Sequence, residues 1–349
     1  MKPLATALVD TFNHDKYIEQ ALVSVVEQGL SQSELEIVVV DDGSTDNTPA
    51  IVSKFVPRVK YLRKKNGGQA SAFNAAFPYF NGSCLSLLDG DDWWAKGKLA
   101  IVLDALERNA DVAAVSHAYY QFHEGTLETK LCGPPEPLFL HLGTLDAARL
   151  ALHSWAFLQP SALTVRRKVL ERVIPIPETL VFSADAPFTA VSMALGTLVL
   201  PQPLSYYRFH AGNLYAGDTG GRAKILRKSQ MDEAMCAILR PALLDLGVSE
   251  DCVSELLDPV WIAASRFNLR TGGGSRLKTL ETEMRIFHAE FKSPAKGYSL
   301  FKHLAVGSAT LLLPPRLFYD LRDWYARHNL KRFRNYFFRE SGAGSAKLR

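Results

Sequence analysis

Over its first hundred residues the chain alternates between short apolar runs and stretches whose apolar residues recur every three or four positions. The runs Leu4–Val9, Ile37–Val40 and Leu85–Leu88 are bounded by turn-forming residues, which is typical of buried parallel strands. Between the first two runs, the residues at helical spacing are Ile18, Ala21, Leu22, Val25 and Val26. This alternation predicts an α/β domain with a mainly parallel sheet flanked by helices.

The same pattern continues to about residue 116. Thr48 and Pro49 are typical of an N-cap and a first helical position, and they predict a helix that buries Ile51, Val52 and Phe55. Further elements are expected at Val59–Leu62 (strand), Ala70–Phe77 (helix), Lys98–Arg108 (helix) and Val112–Ser116 (strand).

After this strand the regular alternation ends. Tyr119–Pro137 is polar and interrupted by prolines, which indicates a mobile loop or an irregular hairpin. Ser154–His210 has a mixed α+β pattern, and beyond the glycine-rich segment Gly212–Gly221 the chain is typical of helices. We therefore predict one domain at residues 1–220 and a helical C-terminal region at residues 221–349.

The composition is that of a folded protein. The chain has 349 residues, of which 47% are hydrophobic and 22% charged, and this excludes a disordered or fibrous chain. Its four cysteines are scattered without a Cys-x-x-Cys pair, so we expect reduced cysteines, a cytoplasmic protein and no zinc site. We expect no secretory signal before the strand pattern at Leu4 and no membrane-spanning segment.

The net charge of +4 is unevenly distributed. Arg316–Arg339 contains seven basic residues and two aspartates, so the rest of the chain is close to neutral. A nucleic-acid partner is therefore not expected.

The C-terminal segment has an interfacial pattern. Leu304–Leu313 is apolar but too short to span a bilayer, and Pro314 and Pro315 end it. One helical face then carries Leu317, Leu321, Trp324, His328, Leu330, Phe333 and Phe337, beside the basic residues Arg322, Arg327, Lys331, Arg332 and Arg334. The pattern indicates either peripheral attachment to an anionic cytoplasmic membrane face or packing on the first domain or on a second subunit.

Two acidic turns directly follow strand patterns, Asp41-Asp42-Gly43-Ser44 after one run and Asp89-Gly90-Asp91-Asp92 after another. Ligands of open α/β sheets bind beyond the carboxyl ends of the strands, which is where both turns fall. Crowded carboxylates repel each other unless a positive charge lies between them, so the pair favours a divalent cation shared with substrate phosphates. The alternative is that both are structural Asp-Gly turns.

Several motifs together resemble the family 2 glycosyltransferases, which have the GT-A fold. The first block contains Asp10–Asn13, Asp41–Asp46, Asn66–Asn74 and Asp89–Trp93. The second block contains Pro160–Leu163, Arg166–Arg167, Pro175–Glu178, Ala184–Asp185 and Tyr207–Asn213. The resemblance covers roughly residues 3–215, and it implies a GT-A nucleotide-diphospho-sugar transferase fold for residues 1–220, with a helical C-terminal extension.

The resemblance implies a nucleotide-sugar site at the first three motifs. Asp42 would accept the imide N–H of the base, with Thr11, Phe12 and Asn13 framing base and ribose, and Gly68 and Gln69 would lie near ribose and sugar. The alternative for Asp42 is an Asx-turn before the helix at Thr48. Phe73 stands where many relatives have an arginine.

The resemblance also implies the reacting groups. Asp89 would contact the ribose, Asp91 would bind Mn²⁺ or Mg²⁺, and Arg208 with His210 would neutralise the diphosphate, with His210 completing the metal shell. Asp92 would contact metal-bound water or cap the next helix. Asp185 follows a strand-like run, Val181-Phe182, and would be the general base, its alternative being an N-cap. Ala184 stands where relatives often have Glu.

The function that follows is a metal-dependent, inverting glycosyltransferase. It would move one sugar from a nucleoside diphosphate sugar of the UDP or GDP type to a hydroxyl of a glycan or lipid-linked acceptor. The processive synthases' Gln-x-x-Arg-Trp element is absent, which favours single-sugar transfer. The alternatives are a non-catalytic nucleotide-sugar or glycan-binding protein of the same fold and a sugar nucleotidyltransferase, and the oligomeric state is open.

Overall fold

The computed structural model of the chain describes residues 2–126, 128–210, 212–213, 222–271, 273–291 and 300–328. It divides into two compact units. The first comprises Met1–Gly221 and Ala234–Asp258, and the second comprises Arg222–Glu233 and Pro259–Arg349. The assignment of catalysis to residues 1–220 stays a prediction.

The first unit contains a mixed, mostly parallel sheet. Its strands are β1 (Ala5–Thr11), β2 (Leu35–Asp41), β3 (Lys60–Arg63), β4 (Cys84–Asp89), β5 (Trp93–Trp94), β6 (Ala114–His123), β7 (Thr129–Cys132), β8 (Leu138–Leu140), β9 (Thr164–Arg166) and β10 (Thr197–Phe209). The strand order is β3-β2-β1-β4-β9-β6-β10-β5, with β7 paired to β6 and β8 paired to β10.

The parallel half of the sheet fixes the position of the acidic turns. Strand β1 pairs in parallel with β2 on one side and with β4 on the other, as the apolar runs predict. The register places Thr11 opposite Asp41 and Asp10 opposite Asp89. The carboxyl ends of the three strands therefore lie together at one edge of the sheet.

Helices cover this half of the sheet. They are α1 (Ile18–Val26), α2 (Thr48–Ser53), α3 (Gln69–Ala76) and α4 (Lys98–Arg108). Leu22 and Val25 of α1 belong to one buried cluster with Val39 of β2 and with Leu99 and Val102 of α4. Burial of these apolar faces is the main force that holds the helices on the sheet.

The start of α2 differs from the expectation. The helix begins at Thr48 with Asn47 as its cap residue, and Asp46 Oδ1 accepts the Thr48 N–H at 3.0 Å. The hydroxyl of Thr48 instead accepts the backbone N–H of His14 at 3.0 Å, so Thr48 links the helix to the loop after β1.

The second half of the unit contains the elements that the sequence pattern describes less well. Helices α5 (Leu145–Ser154), α6 (Arg167–Val173) and α7 (Ala186–Leu195) lie between the later strands in the sequence. The polar segment Tyr119–Pro137 contains the end of β6 and all of β7, which pair as an antiparallel hairpin. The strand-like pair Val181 and Phe182 is not a strand but part of an irregular segment that leads to α7.

Long helices dominate the C-terminal half. They are α8 (Arg222–Asp245), α9 (Glu250–Thr271), α10 (Arg276–Phe291), α11 (Leu300–Leu312) and α12 (Pro315–His328). Within the second unit, Leu269, Phe318 and Tyr319 form a buried cluster. Among the described residues, none of the helices combines the length and the apolar character that crossing a bilayer requires.

The predicted interfacial face is described only in part. Leu317, Leu321 and Trp324 are exposed to 47%, 47% and 57%, on the side of α12 that does not carry the buried Phe318 and Tyr319. Outside the described residues lie the later positions of that face and of the basic stripe, namely Leu330, Lys331, Arg332, Phe333, Arg334 and Phe337.

Candidate active site

The turn after β4 brings the acidic cluster against the end of β1. Gly90 N donates to the carbonyl of Asp10 at 2.9 Å, and Asp92 N donates to the carbonyl of Asp89 at 3.0 Å. A Cβ on residue 90 would lie 2.9 Å from the Asp10 carbonyl oxygen. Glycine is therefore what lets the turn approach β1 so closely.

Asp92 ties this turn to two later segments of the chain. Its Oδ1 accepts the backbone N–H of Arg208 at 2.8 Å, and its Oδ2 accepts the hydroxyl of Ser161 at 2.6 Å. The expected alternative of a helix cap is wrong, because the cap residue of α4 is Gly97 and no side chain caps that helix. Asp92 fastens the end of β10 to the acidic turn.

Asp91 faces two imidazoles and an amide. Its Oδ2 lies 3.0 Å from His210 Nε2, 3.9 Å from His14 Nε2 and 3.3 Å from Asn213 Nδ2. Burial acts to raise the pKa of Asp91, but the hydrogen bond to His210 and the nearby His14 lower it below its ordinary value. The carboxylate is thereby kept ionised.

Arg208 is held in an aromatic cage behind the acidic turn. Its guanidinium lies 4.7 Å from the ring centre of Tyr17, 4.5 Å from that of Trp93 and 5.7 Å from that of Phe122. Its Nε donates to the Asp91 carbonyl at 2.8 Å. In this arrangement Arg208 supports the main chain of the acidic turn.

Asp42 lies in a cradle of N–H donors. Its Oδ1 accepts from Lys64 Nζ at 2.8 Å and from Gly67 N at 3.0 Å, and its Oδ2 accepts from Gly68 N at 2.7 Å. The Asx-turn expected as an alternative is made by the neighbouring Asp41, whose Oδ1 accepts Ser44 N at 2.7 Å. Asp42 thus links the turn after β2 to the glycine-rich loop before α3.

The residues after β1 border the same edge of the sheet. Thr11 is buried, whereas Phe12 is 42% exposed. Asn13 has φ of 57°, and its Oδ1 accepts Thr45 N at 2.7 Å. This left-handed residue is thereby bound to the turn after β2, and the Phe12 ring that precedes it is exposed.

Gln69 connects three parts of the site. Its Nε2 donates to Asp10 Oδ2 at 3.3 Å, its Oε1 accepts Ala184 N at 2.9 Å, and its backbone N donates to Val181 O at 2.7 Å. The segment that precedes Asp185 is therefore anchored to the loop that contains Gly68 and Gln69.

Asp185 stands at the start of α7, after Ser183 with φ of 60°. It occupies the N-cap position of α7, as the alternative expects, but its side chain makes no capping hydrogen bond. Desolvation raises the pKa of this carboxyl to about 6. A carboxyl group with this pKa can accept a proton near neutral pH.

The carboxyl groups at the two strand ends have strongly raised pKa values. Desolvation raises the pKa of Asp10 to about 7, with Asp91 adding to the effect and Gln69 opposing it. Desolvation and the neighbouring Asp10 raise the pKa of Asp89. Desolvation and the neighbouring Asp91 raise that of Asp92. Like charges in this space are therefore stable only with protons or a cation between them.

The donor set fits a divalent cation. Carboxylate oxygens of Asp89, Asp91 and Asp92 lie within 4.8 Å of one another. Asp89 Oδ1 is buried and has no hydrogen-bond partner among the described residues. A hard cation prefers such carboxylate oxygens and would neutralise their repulsion.

Three aromatic residues near the site, Phe73, Trp93 and Trp94, pack against other side chains of the first unit. Phe73 is fully buried and packs edge-to-face with Phe188 at a ring distance of 6.0 Å, so it belongs to the core. Trp94 is buried, and Trp93 stacks on Tyr206 at 4.7 Å with nearly parallel rings. The two tryptophans form β5, which pairs with β10, the strand that carries Arg208.

The structure adds two residues to those that the sequence singled out, namely His14 and Tyr17, and it gives a place in the cluster to Asp10, which the motif Asp10–Asn13 contains without a role. His14 directly follows this motif, but nothing local shows that its ring faces the cluster. The rings of Tyr17 and His210 pack at a tilt, with their centres 4.5 Å apart, and these residues are far apart in the sequence.

Comparison with known proteins gives a family and related sequences. Residues 6–174 match the model described as Glycosyl transferase family 2. An uncharacterized glycosyltransferase of Nostoc sp. is 30% identical over 231 residues, which are 64% of this chain and 70% of the relative. The chondroitin synthase of Pasteurella multocida is 33% identical over 116 residues, which are 32% of this chain and 12% of that protein.

Among solved structures, the chain resembles S. aureus TarS in complex with UDP-GlcNAc. The TM-score is 0.52 at 20% identity, over 82% of this chain and 88% of that chain. At this identity the likeness concerns the fold.

We predict that Gly68→Ala will lower the stability of the folded protein more than Gly97→Ala does. Gly68 has φ of 88° and ψ of 170°, and a Cβ there would lie 2.6 Å from the Val181 carbonyl oxygen. Gly97 also has positive φ, but a Cβ there would meet nothing within 4 Å. We expect Gly68→Ala to lower the free energy of unfolding by about 2 kcal/mol more than its control, measured by urea denaturation.

Hydrogen exchange gives the local readout of the same pair. The amide of Gln69 donates to Val181 O and should exchange faster in Gly68→Ala but not in Gly97→Ala. Equal stability of the two variants would contradict the close packing of Gly68 on this segment.

Proposed function

Because the chain belongs to glycosyltransferase family 2, we propose that it moves a single sugar from a nucleoside diphosphate sugar to an acceptor hydroxyl, with inversion and with a divalent cation. Family membership rests on the family match and on the Nostoc relative, and it confirms the resemblance seen in the motifs. The sheet, the flanking helices and the likeness to TarS confirm the GT-A fold. The enzyme class, glycosyltransferase, follows from the family.

The observation that carries the proposal is the grouping of Asp89, Asp91 and Asp92 beside His210 at the carboxyl edge of the sheet. Asp91 and His210 would hold Mn²⁺ or Mg²⁺, and Asp89 would lie toward the ribose. When bound, the cation neutralises negative charge that develops on the departing diphosphate. Arg208 would act by holding the main chain of Asp91 in place.

The nucleotide would occupy the edge between the turns after β1 and β2. Phe12 is the exposed aromatic ring there, and Thr11 and Asn13 shape the turn that presents it. Asp42 would accept from the base, with Gly68 and Gln69 bordering ribose and sugar. TarS, which has this fold, binds UDP-GlcNAc, so UDP is the first nucleotide to test.

Asp185 would take the proton of the acceptor hydroxyl as it attacks the anomeric carbon. Its side chain makes no cap bond, and Gln69 holds the preceding residue at Ala184 N. The second carboxylate that relatives often carry at position 184 is absent, so Asp185 would act as the only base on this segment.

Our first test is a thermal-shift panel of UDP, GDP, CDP and dTDP, each with Mn²⁺ or with EDTA. We expect one nucleotide to raise the melting temperature by about 3 °C or more with Mn²⁺ and much less with EDTA, because a ligand of the folded state stabilises it. Asp91→Ala should remove the dependence on Mn²⁺. The absence of a shift for every nucleotide would favour a binding protein without transferase activity.

A second test concerns the base. We expect Asp185→Asn to bind the nucleotide as the parent does but to lose about 10²–10⁴-fold in nucleoside diphosphate release from the donor. Since the raised pKa is about 6, the parent's rate should fall about tenfold per pH unit below pH 6, where the base is protonated, and level off above it. Asp111→Asn, at an exposed position, is the control.

A rate of the parent that is flat between about pH 5 and 8 would contradict this role. So would full activity in Asp185→Asn.

We also propose that α12 attaches the protein peripherally to an anionic cytoplasmic membrane face, where a lipid-linked acceptor would be found. The exposed Leu317, Leu321 and Trp324 form a stripe on one side of the helix. Arg316 is exposed beside this stripe. Such a combination binds by apolar burial and by attraction to anionic lipid.

Liposome flotation tests this attachment. We expect the protein to float with phosphatidylglycerol vesicles at low salt, and the double variant Leu317→Glu with Leu321→Glu to stay in the soluble fraction. Leu131→Glu, at a leucine of β7 that is 56% exposed, is the matched control. Deleting the helix would be a poor test, because it carries the buried Phe318 and Tyr319.

Equal flotation of the parent and the double variant would contradict the membrane role of this face. The exposed leucines would then be explained by packing on the first domain or on a second subunit.

A further inference from the structure

We propose that His14 is a ligand of the same cation as Asp91 and His210, so that the metal is bound by two imidazoles and a carboxylate. This inference rests on the proposed metal site and extends it by a residue that the motifs do not mark.

The turn after β1 places the His14 ring against the acidic turn. Asn13, with its positive φ, reverses the chain, and His14 N then donates to Thr48 Oγ1 at 3.0 Å. A Cβ on Gly90 would lie 2.9 Å from His14 Nδ1. Because Gly90 has no side chain, the His14 ring can lie this close to the acidic turn.

The orientation of the ring leaves one nitrogen for a ligand. His14 Nδ1 is 3.3 Å from Thr11 Oγ1, and this contact fixes the side of the ring that faces the protein. The opposite nitrogen, Nε2, points toward Asp91 Oδ2 at 3.9 Å. A ligating histidine is commonly oriented in this way through its other ring nitrogen.

The spacing suits ligands of one ion. Two atoms that each lie about 2.1 Å from a metal are about 3–4 Å apart, depending on the angle between them. Asp91 Oδ2 is 3.0 Å from His210 Nε2 and 3.9 Å from His14 Nε2. The approach of His210 is fixed independently, by the tilted packing of its ring on Tyr17 and by the hydrogen bond that its backbone N donates to Asn213 Oδ1.

Two imidazoles change which metal the site prefers. Mg²⁺ favours oxygen ligands and retains its water, whereas imidazole nitrogen suits transition metals. The set of His14, His210 and Asp91 should therefore select Mn²⁺ or Co²⁺ over Mg²⁺. Asp89, whose Oδ1 has no partner among the described residues, leaves further oxygen available on the same side.

The experiment is metal binding followed by electron spin resonance on the full chain with Mn²⁺, without nucleotide or sugar. Electron spin echo modulation should detect imidazole nitrogens from two histidines in the parent and from one in His14→Ala. The same variant should weaken Mn²⁺ binding about tenfold or more and reduce the preference for Mn²⁺ over Mg²⁺. His153→Ala, at an exposed histidine of α5, should match the parent.

Each outcome has a defined meaning. A parent spectrum with a single histidine, or unchanged Mn²⁺ affinity in His14→Ala while His210→Ala loses it, overturns the role of His14 and leaves the proposed metal site intact. No Mn²⁺ binding by the folded parent overturns both. Where His14→Ala fails to fold, a parent spectrum with a single histidine still overturns the proposal, and one with two histidines still supports a site of two imidazoles.

Discussion

The repulsion between carboxyl groups at the ends of β1 and β4 is the constraint on which the site depends. The parallel register sets Asp10 beside Asp89, and the turn adds Asp91 and Asp92 within a few residues. Desolvation raises the pKa values of Asp10, Asp89 and Asp92, so this arrangement costs free energy whenever all of them are ionised. The surroundings must supply protons, N–H donors or a cation.

Strand β10 supplies most of the compensating groups. Its end carries Arg208, whose backbone N–H binds Asp92 and whose side chain binds the Asp91 carbonyl. His210 and Asn213 then face Asp91 from the following turn. The acidic turn and the end of β10 consequently stabilise each other, although more than a hundred residues separate them. A cation bound to Asp91 would affect both the acidic turn and the end of β10, because it would neutralise the carboxylate charge that His210 and Arg208 face.

The sequence predicted the parts of this arrangement that depend on local order. Apolar runs followed by Asp-rich turns located β1, β2 and β4 and put both acidic turns at one edge, because parallel neighbouring strands end on the same side. Strand β10 was less visible, since Pro201 and Pro203 interrupt its pattern where the structure has register shifts against β6. Val181 and Phe182 have the apolar pattern of a strand but do not form one, and the reason is different. Phe182 is buried in an irregular segment that Gln69 holds through the carbonyl of Val181.

Side-chain partners far apart in the sequence were beyond local patterns altogether. Arg208 was expected to reach the diphosphate, and its cage of Tyr17, Trp93 and Phe122 arises only when three separate segments pack together. His14 is a similar case, because the residues next to it in the sequence do not show that its ring faces Asp91.

The cradle around Asp42 defines what base recognition would require. A carboxylate offers about four lone-pair sites, and here Lys64, Gly67 and Gly68 make four contacts with Asp42, two to each oxygen. The two glycine amides are fixed by the loop, and Gly68 by its contact with Val181. Lys64 differs, because its long side chain is 24% exposed and its ammonium also donates to the carbonyl of Lys65. If Asp42 is the base acceptor, as we propose, an imide N–H that binds it would displace the Lys64 ammonium. The displaced ammonium would then add positive charge next to an anionic ligand, and one charge-assisted hydrogen bond would replace another.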